Sequence, residues 1–191
     1  MKRMRRNSRR ENDRAWPEAW ITDDPGNQLE PSWSRDGKWI YCGSSRTGRL
    51  EIHRVPAGGG RLEQITRNGG LHAEESFDGK WLYYSKDAYS PTSIWKVPRD
   101  GGEESRVIEG VSYSLNFVPV EKGIYFTSGT LGQDGRSAIE FYEFATGRPK
   151  ALATMDKSLS WGLALSPDGR FLLQPLADRA SSNLMLVENF R

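Results

Sequence analysis

Two adjacent carboxylates, Glu74 and Glu75, are the side chains of this sequence best placed to bind a ligand. The text around them recurs along the chain, and the residues that match Glu75 in the other copies are apolar: Trp33, Phe117 and Leu165. Those that match Glu74 are Ser32, Asn116 and Ala164. This exception predicts a binding patch of Glu74, Glu75 and Asn116. The alternatives are a salt bridge to a nearby arginine or a solvated place at the end of a strand.

No catalytic or metal-binding constellation accompanies this pair in the sequence. The nucleophile motif Gly-x-Ser-x-Gly is absent, and the glycines at 58–60 join two strands instead of opening a phosphate-binding helix. His53 is expected to be a buried structural histidine and His72 to lie in a loop. Together with the single Cys42, they lack the spacing of metal ligands. We therefore expect no catalytic residue, no metal and no cofactor.

Repeats with a period of 42 residues must position these side chains. The stretch 33–41, which has Asp-Gly between two runs of strand-forming residues, returns at 75–83 and again at 166–173. A second landmark, 51–56, returns at 93–98 in the same register. Asp-Gly tolerates the positive φ angles of a two-residue hairpin turn, so each copy predicts a strand, a tight turn and a strand. A fixed period of this size indicates a repeat architecture.

The first three repeats each divide into four short strands, and the last divides into three. The four units run over residues 31–66, 73–108, 113–153 and 161–191. Continuous apolar runs in the second strands predict sheets that are buried on both faces, as in the blades of a β-propeller. The stretch 19–24 is expected to be the outer strand of a preceding or the closing blade. The predicted fold is all-β: a β-propeller of four-stranded antiparallel blades, about four of them present, in an incomplete, open ring.

The repeats resemble those of the TolB-like, WD-like bacterial propellers, whose core reads Trp-Ser-Pro-Asp-Gly-(Lys/Arg)-x-aliphatic-x-aromatic. The matching stretches are 33–42, 75–84 and 165–174, and Arg35 and Phe77 depart from the pattern at its proline. The resemblance implies six or seven blades, so this chain would be the C-terminal part of a larger propeller. It implies a non-catalytic module for protein–protein interaction or sensing. The alternative is the propeller of a prolyl-oligopeptidase-like serine peptidase that lacks its hydrolase domain.

The resemblance also implies where the patch lies and what the chain contacts. First strands of propeller blades line a central channel, so Glu74, Glu75 and Asn116 are expected on its wall. The expected partners are a protein, the missing propeller blades, or a second copy bound through exposed blade ends.

Basic residues are concentrated at the start of the chain. Residues 1–14 hold seven basic and two acidic residues, and the remaining 177 hold 20 basic and 23 acidic. Residues 1–18 are predicted to be a disordered basic tail, and nucleic-acid binding is not favoured because no aromatic residue interleaves the basic run. No apolar run could span a membrane, and no apolar segment follows the basic start. As written, the sequence predicts a cytoplasmic location, whereas complete relatives are often periplasmic.

Overall fold

The structure, a computed structural model, describes residues 21–23, 26–88, 91–129, 137–156, 158–177 and 182–188. Within these ranges the protein consists of strands and turns and has no helix, hence none long and apolar enough to cross a membrane. The all-β prediction is confirmed. The predicted basic tail, residues 1–18, lies outside the described residues.

Antiparallel strands form four blades, and in the first three blades the strands pair in chain order. A single bridge between Val111 and Ser128 joins blades 2 and 3 into one eight-stranded sheet. Blade 1 consists of β1 (Gln28–Trp33), β2 (Trp39–Ser44), β3 (Glu51–Pro56) and β4 (Glu63–Gln64). Blade 2 consists of β5 (His72–Glu75), β6 (Trp81–Ser85), β7 (Thr92–Pro98) and β8 (Ser105–Val111). Blade 3 consists of β9 (Phe117–Val120), β10 (Gly123–Ser128), β11 (Ser137–Glu143) and β12 (Arg148–Met155).

Blade 4 differs from the others at both edges. It consists of β13 (Ser158–Leu159), β14 (Ala164–Leu165), β15 (Phe171–Ala177) and β16 (Ser182–Glu188). Its inner strand is split, because β13 and β14 both pair with one edge of β15 while β16 pairs with the other. Among the described residues, no strand pairs with the far edge of β16. The fold is an open β-propeller, as predicted.

The repeated Asp-Gly turn is closed by a serine side chain. In blade 1, Ser34 Oγ donates to Asp36 Oδ1 at 2.7 Å and accepts from the Trp39 N–H at 2.9 Å. The Gly37 N–H donates to Ser34 O, and the φ of Gly37 is +68°, an angle that glycine adopts without steric cost. The predicted two-residue turn is wrong, because Ser34 pairs with Trp39 and the connection has four residues, 35–38.

The same hydrogen bonds occur in blades 2 and 4, where Ser76 and Ser166 donate to Asp78 and Asp168. The hydrogen bond from Ser34, followed by that from the Lys38 N–H, lowers the pKa of Asp36 to about 2. The matching serine hydrogen bonds lower the pKa of Asp78 and of Asp168. Each turn is therefore built around an ionised carboxylate.

Apolar side chains fill the joints, the contacts between consecutive blades. At joint 1–2, Tyr41 and Ile52 of blade 1 are completely buried in one cluster with Leu82 and Val97 of blade 2. The cluster at joint 2–3 consists of Tyr83, Ile94, Ile108, Val111, Phe117, Ile124 and Phe126. Burying one such side chain stabilises the fold by about 1.5–3 kcal/mol, so each joint has a core of its own.

Candidate functional site

The first strands of the blades, β1, β5, β9 and β14, carry or adjoin the predicted patch. Contacts join β1 to β5, β5 to β9 and β9 to β14. Residues 42 positions apart in the sequence therefore lie close together in space. Because side chains alternate between the two faces of a strand, neighbours such as Glu74 and Glu75 point in opposite directions.

Glu75 lies buried at joint 1–2, with a side chain that is 1% exposed. Its Oε1 accepts a hydrogen bond from Tyr41 Oη at 2.9 Å and lies 3.2 Å from Arg99 Nε. Its Oε2 accepts from the Arg35 N–H at 2.6 Å. Burial, and then this contact with Glu75, raises the pKa of Tyr41. The two carboxylate oxygens thus bind groups of both blades, which matches the salt-bridge alternative.

Asn116 is also completely buried, at joint 3–4. Its Nδ2 donates to Thr127 Oγ1 at 2.8 Å and to Ser160 O at 3.0 Å. Its Oδ1 accepts from the Gly162 N–H at 2.6 Å. The amide holds the chain ahead of β14 against blade 3.

Glu74 has a partly exposed side chain, at 38%, and its Oε1 lies 3.2 Å from His72 Nε2. His72 is buried and begins β5, so its prediction as a loop residue is wrong. The ring packs edge-on against Phe117, with 5.5 Å between the ring centroids. Of the three predicted patch residues, Glu74 is the one whose carboxylate solvent reaches.

Sequence reasoning missed Glu30, which contacts His72, and Ser114, which contacts Glu30. Ser114 Oγ donates to Glu30 Oε1 at 3.1 Å, and His72 Nδ1 lies 3.4 Å from the carbonyl oxygen of Glu30. Glu30 has a left-handed φ of +48° and stands at the bulge of β1. Its Oε2 is buried without a hydrogen-bond partner. Burial raises the pKa of Glu30, against the opposing effects of the His72 charge and the Ser114 hydrogen bond.

We call Glu30, His72, Glu74 and Ser114 the inner cluster. A signal for it exists in the sequence, because positions 30, 72 and 114 are one repeat length of 42 residues apart. Ser114 donates to a carboxylate and not to the imidazole, so the described contacts do not form a nucleophile–base pair. The described residues contain no group of three or more acidic, histidine or cysteine side chains that could hold a metal ion. The cluster can accept hydrogen bonds and attract a cationic group.

No protein-family profile matches the chain. Among curated proteins, an uncharacterized protein of Agrobacterium fabrum is 45% identical over 49 residues, which are 26% of this chain and 17% of that protein. The identity is high, but the match is confined to about one repeat.

Solved structures match most of the chain. TolB from Acinetobacter baumannii has a TM-score of 0.69 at 21% identity, over 88% of this chain and 42% of its own. A TolB-type protein of Agrobacterium tumefaciens has a TM-score of 0.67 at 20% identity, over 86% of this chain and 59% of its own. Prolyl endopeptidases match with a TM-score of 0.60 at 16% identity, over 86% of this chain and 27% of theirs. The chain spans about half the length of the two TolB structures, and it has the β-propeller fold that they have.

Proposed function

We propose that this chain is a non-catalytic propeller module that binds a protein partner at the inner cluster. The observation that supports this most is the exposure of Glu74 beside a cluster whose other members are largely buried. A carboxylate held in place by a neighbouring imidazole loses little conformational freedom when it binds, which favours affinity.

The charges of the inner cluster favour a basic or hydrogen-bond-donating segment of the partner. Glu74 contributes a carboxylate at the surface, and Glu30 contributes a second, more buried one that interacts with His72 and Ser114. A lysine or arginine of the partner would form a charge-assisted hydrogen bond with Glu74. Glu75 and Asn116 would act indirectly, by fixing the blades between which the cluster lies.

A peptide-display selection on the immobilised protein tests this proposal. We expect selected peptides to be rich in lysine and arginine, and Glu74→Gln to weaken their binding about fivefold, the change that corresponds to a single surface charge contact of about 1 kcal/mol. Isothermal titration calorimetry measures the affinity. Glu109→Gln is the matched control, since Glu109 lies on the outer strand β8 with a side chain that is 65% exposed. Equal affinities of wild type, Glu74→Gln and Glu109→Gln would contradict the proposal.

A second candidate is the propeller of a serine peptidase, which the likeness to prolyl endopeptidases favours. In that case the chain would bind proline-containing peptides and leave hydrolysis to another domain. Peptides selected for proline, with unchanged binding to Glu74→Gln, would favour this candidate. Hydrolysis of a chromogenic prolyl substrate by the purified chain would overturn the proposal that the module is non-catalytic.

A further inference from the structure

Blade 4 has an apolar outer face that no described residue covers. Leu184 is 75% exposed, Leu186 is 50% exposed and Leu173 is 40% exposed. Leu173 and Leu186 are register partners in the β15–β16 pair, so the three side chains lie close together on one face. We call them the blade-4 face. Their neighbours Met185 and Val187 point the other way and pack in joint 3–4.

The repeat register identifies what such a face contacts elsewhere. Leu173 and Leu184 stand 132 residues after Tyr41 and Ile52, both of which are completely buried against blade 2. Blade 4 therefore presents to solvent the positions that a following blade covers in blade 1.

Blade 1 has the reciprocal feature at the other end of the arc. Trp33 is 60% exposed and stands at the repeat position of Glu75, whose carboxylate contacts Tyr41 of the preceding blade. The turn after β3 holds Ala57 and Gly58 at the positions of Arg99 and Asp100. These three residues, Trp33, Ala57 and Gly58, are the blade-1 face.

Polar groups are absent from both faces at matched positions. At joint 1–2, Tyr41 binds Glu75 and Arg54 Nη1 lies 2.5 Å from Asp100 Oδ1. On the blade-4 face the positions of Tyr41 and Arg54 hold Leu173 and Leu186. On the blade-1 face the positions of Glu75 and Asp100 hold Trp33 and Gly58. These two polar pairs of joint 1–2 would thus become apolar pairs. A third, Asp36 with Arg99, would become Asp168 with Ala57, and the charge of Asp168 faces Arg170 of its own turn.

The segment 21–23 also has a counterpart at joint 1–2. The Gly60 N–H donates to Ile21 O at 3.2 Å, and Ile21 packs on Cys42 and Val55 of blade 1. Ile65, which follows β4 of blade 1, packs on blade 2 in the way that Ile21 packs on blade 1, in the cluster of Tyr41, Leu82 and Val97. The N–H of Ile65 donates to Ile52 O of blade 1. Ile21 is therefore placed like the outer strand of a preceding blade, and among the described residues blade 4 is the blade without such a strand.

We infer that two copies of the chain associate head to tail, with the blade-4 face of one copy on the blade-1 face of the other. Ile21 of the second copy then lies beside β16 and completes blade 4. This association involves the ends of the arc and is independent of the inner cluster.

Sedimentation velocity over a range of protein concentrations tests this inference. The wild type is expected to rise above the 21.6 kDa of one chain as concentration increases. Leu184→Glu/Leu186→Glu and, separately, Trp33→Glu should each shift the association to at least tenfold higher concentration, because each places a carboxylate in an apolar contact. Phe77→Glu is the control, since Phe77 is 55% exposed in the turn of blade 2, away from both faces.

A mixture of the two face variants gives the decisive result. One variant keeps an intact blade-1 face and the other an intact blade-4 face. An equimolar mixture should therefore form 1:1 pairs at a concentration at which neither variant associates alone. A contact between two blade-4 faces would instead leave Trp33→Glu associating like the wild type, and that result would overturn the head-to-tail arrangement.

Hydrogen exchange provides a measurement that does not depend on a variant. On association, the amides of 182–188 should gain protection as a strand pairs with the edge of β16. Circular dichroism melts check that the face variants fold. A wild type that stays at 21.6 kDa at all concentrations would overturn the inference, and would favour further propeller blades as the cover of these faces.

Discussion

Joints 1–2 and 2–3 join matching strands of the repeat but differ in chemistry. At joint 1–2, Tyr41 donates to the buried carboxylate of Glu75. At joint 2–3, Phe117 takes the place of Glu75, and Tyr83, which takes the place of Tyr41, stacks on Phe144 with 5.7 Å between ring centroids. Burial raises the pKa of Tyr83 to about 12. The tyrosine is the same in both joints, and its contact in the next blade changes from a carboxylate to an aromatic ring, so one repeat accepts either a polar or an apolar joint.

The largest effect is expected at the apolar joint. Phe117 is 1% exposed, so Phe117→Ala should lower the free energy of unfolding by about 4 kcal/mol through lost burial and a cavity. Urea denaturation measures this. Phe117→Leu, which keeps most of the volume, should cost less than about 1.5 kcal/mol. If Phe117→Ala and Phe117→Leu were equally stable, the side-chain volume at position 117 would not stabilise joint 2–3.

At the polar joint, Glu75→Ala should lower the free energy of unfolding by about 3 kcal/mol, because it leaves Arg99 and Tyr41 without their shared acceptor. Glu109→Ala removes an exposed ion pair with Arg106 and should cost less than about 0.5 kcal/mol. Added salt should reduce the small effect of Glu109→Ala and leave that of Glu75→Ala nearly unchanged, because a buried ion pair is screened much less than an exposed one. Equal losses for Glu75→Ala and Glu109→Ala would contradict a buried ionic contact at joint 1–2.

Joint 3–4 is polar but uncharged, because the neutral amide of Asn116 joins its blades. Asn116→Ala should lower the free energy of unfolding by about 2 kcal/mol, because the Gly162 N–H and Thr127 Oγ1 lose a buried partner. Asn68→Ala, at an exposed position, is the control. Equal losses for Asn116→Ala and Asn68→Ala in urea denaturation would contradict this role of the amide.

The smallest effect concerns the turns in acid. A carboxyl group whose folded pKa is lowered stabilises the fold above its unfolded pKa, and this contribution disappears as the pH falls through the folded pKa. For Asp36 that window runs from its ordinary value of 3.8 down to about 2. Asp36 also pairs with Arg99 across joint 1–2, whereas the charge facing Asp168 is Arg170 of its own turn. Asp36→Asn should therefore flatten the acid unfolding curve more than Asp168→Asn does, as measured by circular dichroism.

The sequence predicts well what is encoded in contiguous residues. The Ser-x-Asp-Gly text specifies a turn through bonds among neighbours, so its recurrence located the hairpins of three blades. The partners of Glu75 come from residues 24 to 40 positions away, and only the packed structure selects Tyr41, Arg35 and Arg99 among many candidates. The contact between Glu30 and Ser114 spans two repeats, so the period could have indicated it. The sequence period does not indicate the β-bulge of β1, which turns Glu30 towards Ser114.

The Asp-Gly turns also affect how this protein degrades chemically during storage. In flexible chains, the glycine nitrogen of such a pair attacks the aspartate carbonyl, and the succinimide that forms reopens largely as isoaspartate. Here the Gly37 N–H is bound to Ser34 O, and Asp36 is ionised and hydrogen-bonded, so neither group is free to react. Isoaspartate at these sites should therefore accumulate only in molecules whose hairpins have opened. Peptide mapping of stored protein would measure how fast the hairpin of each blade opens.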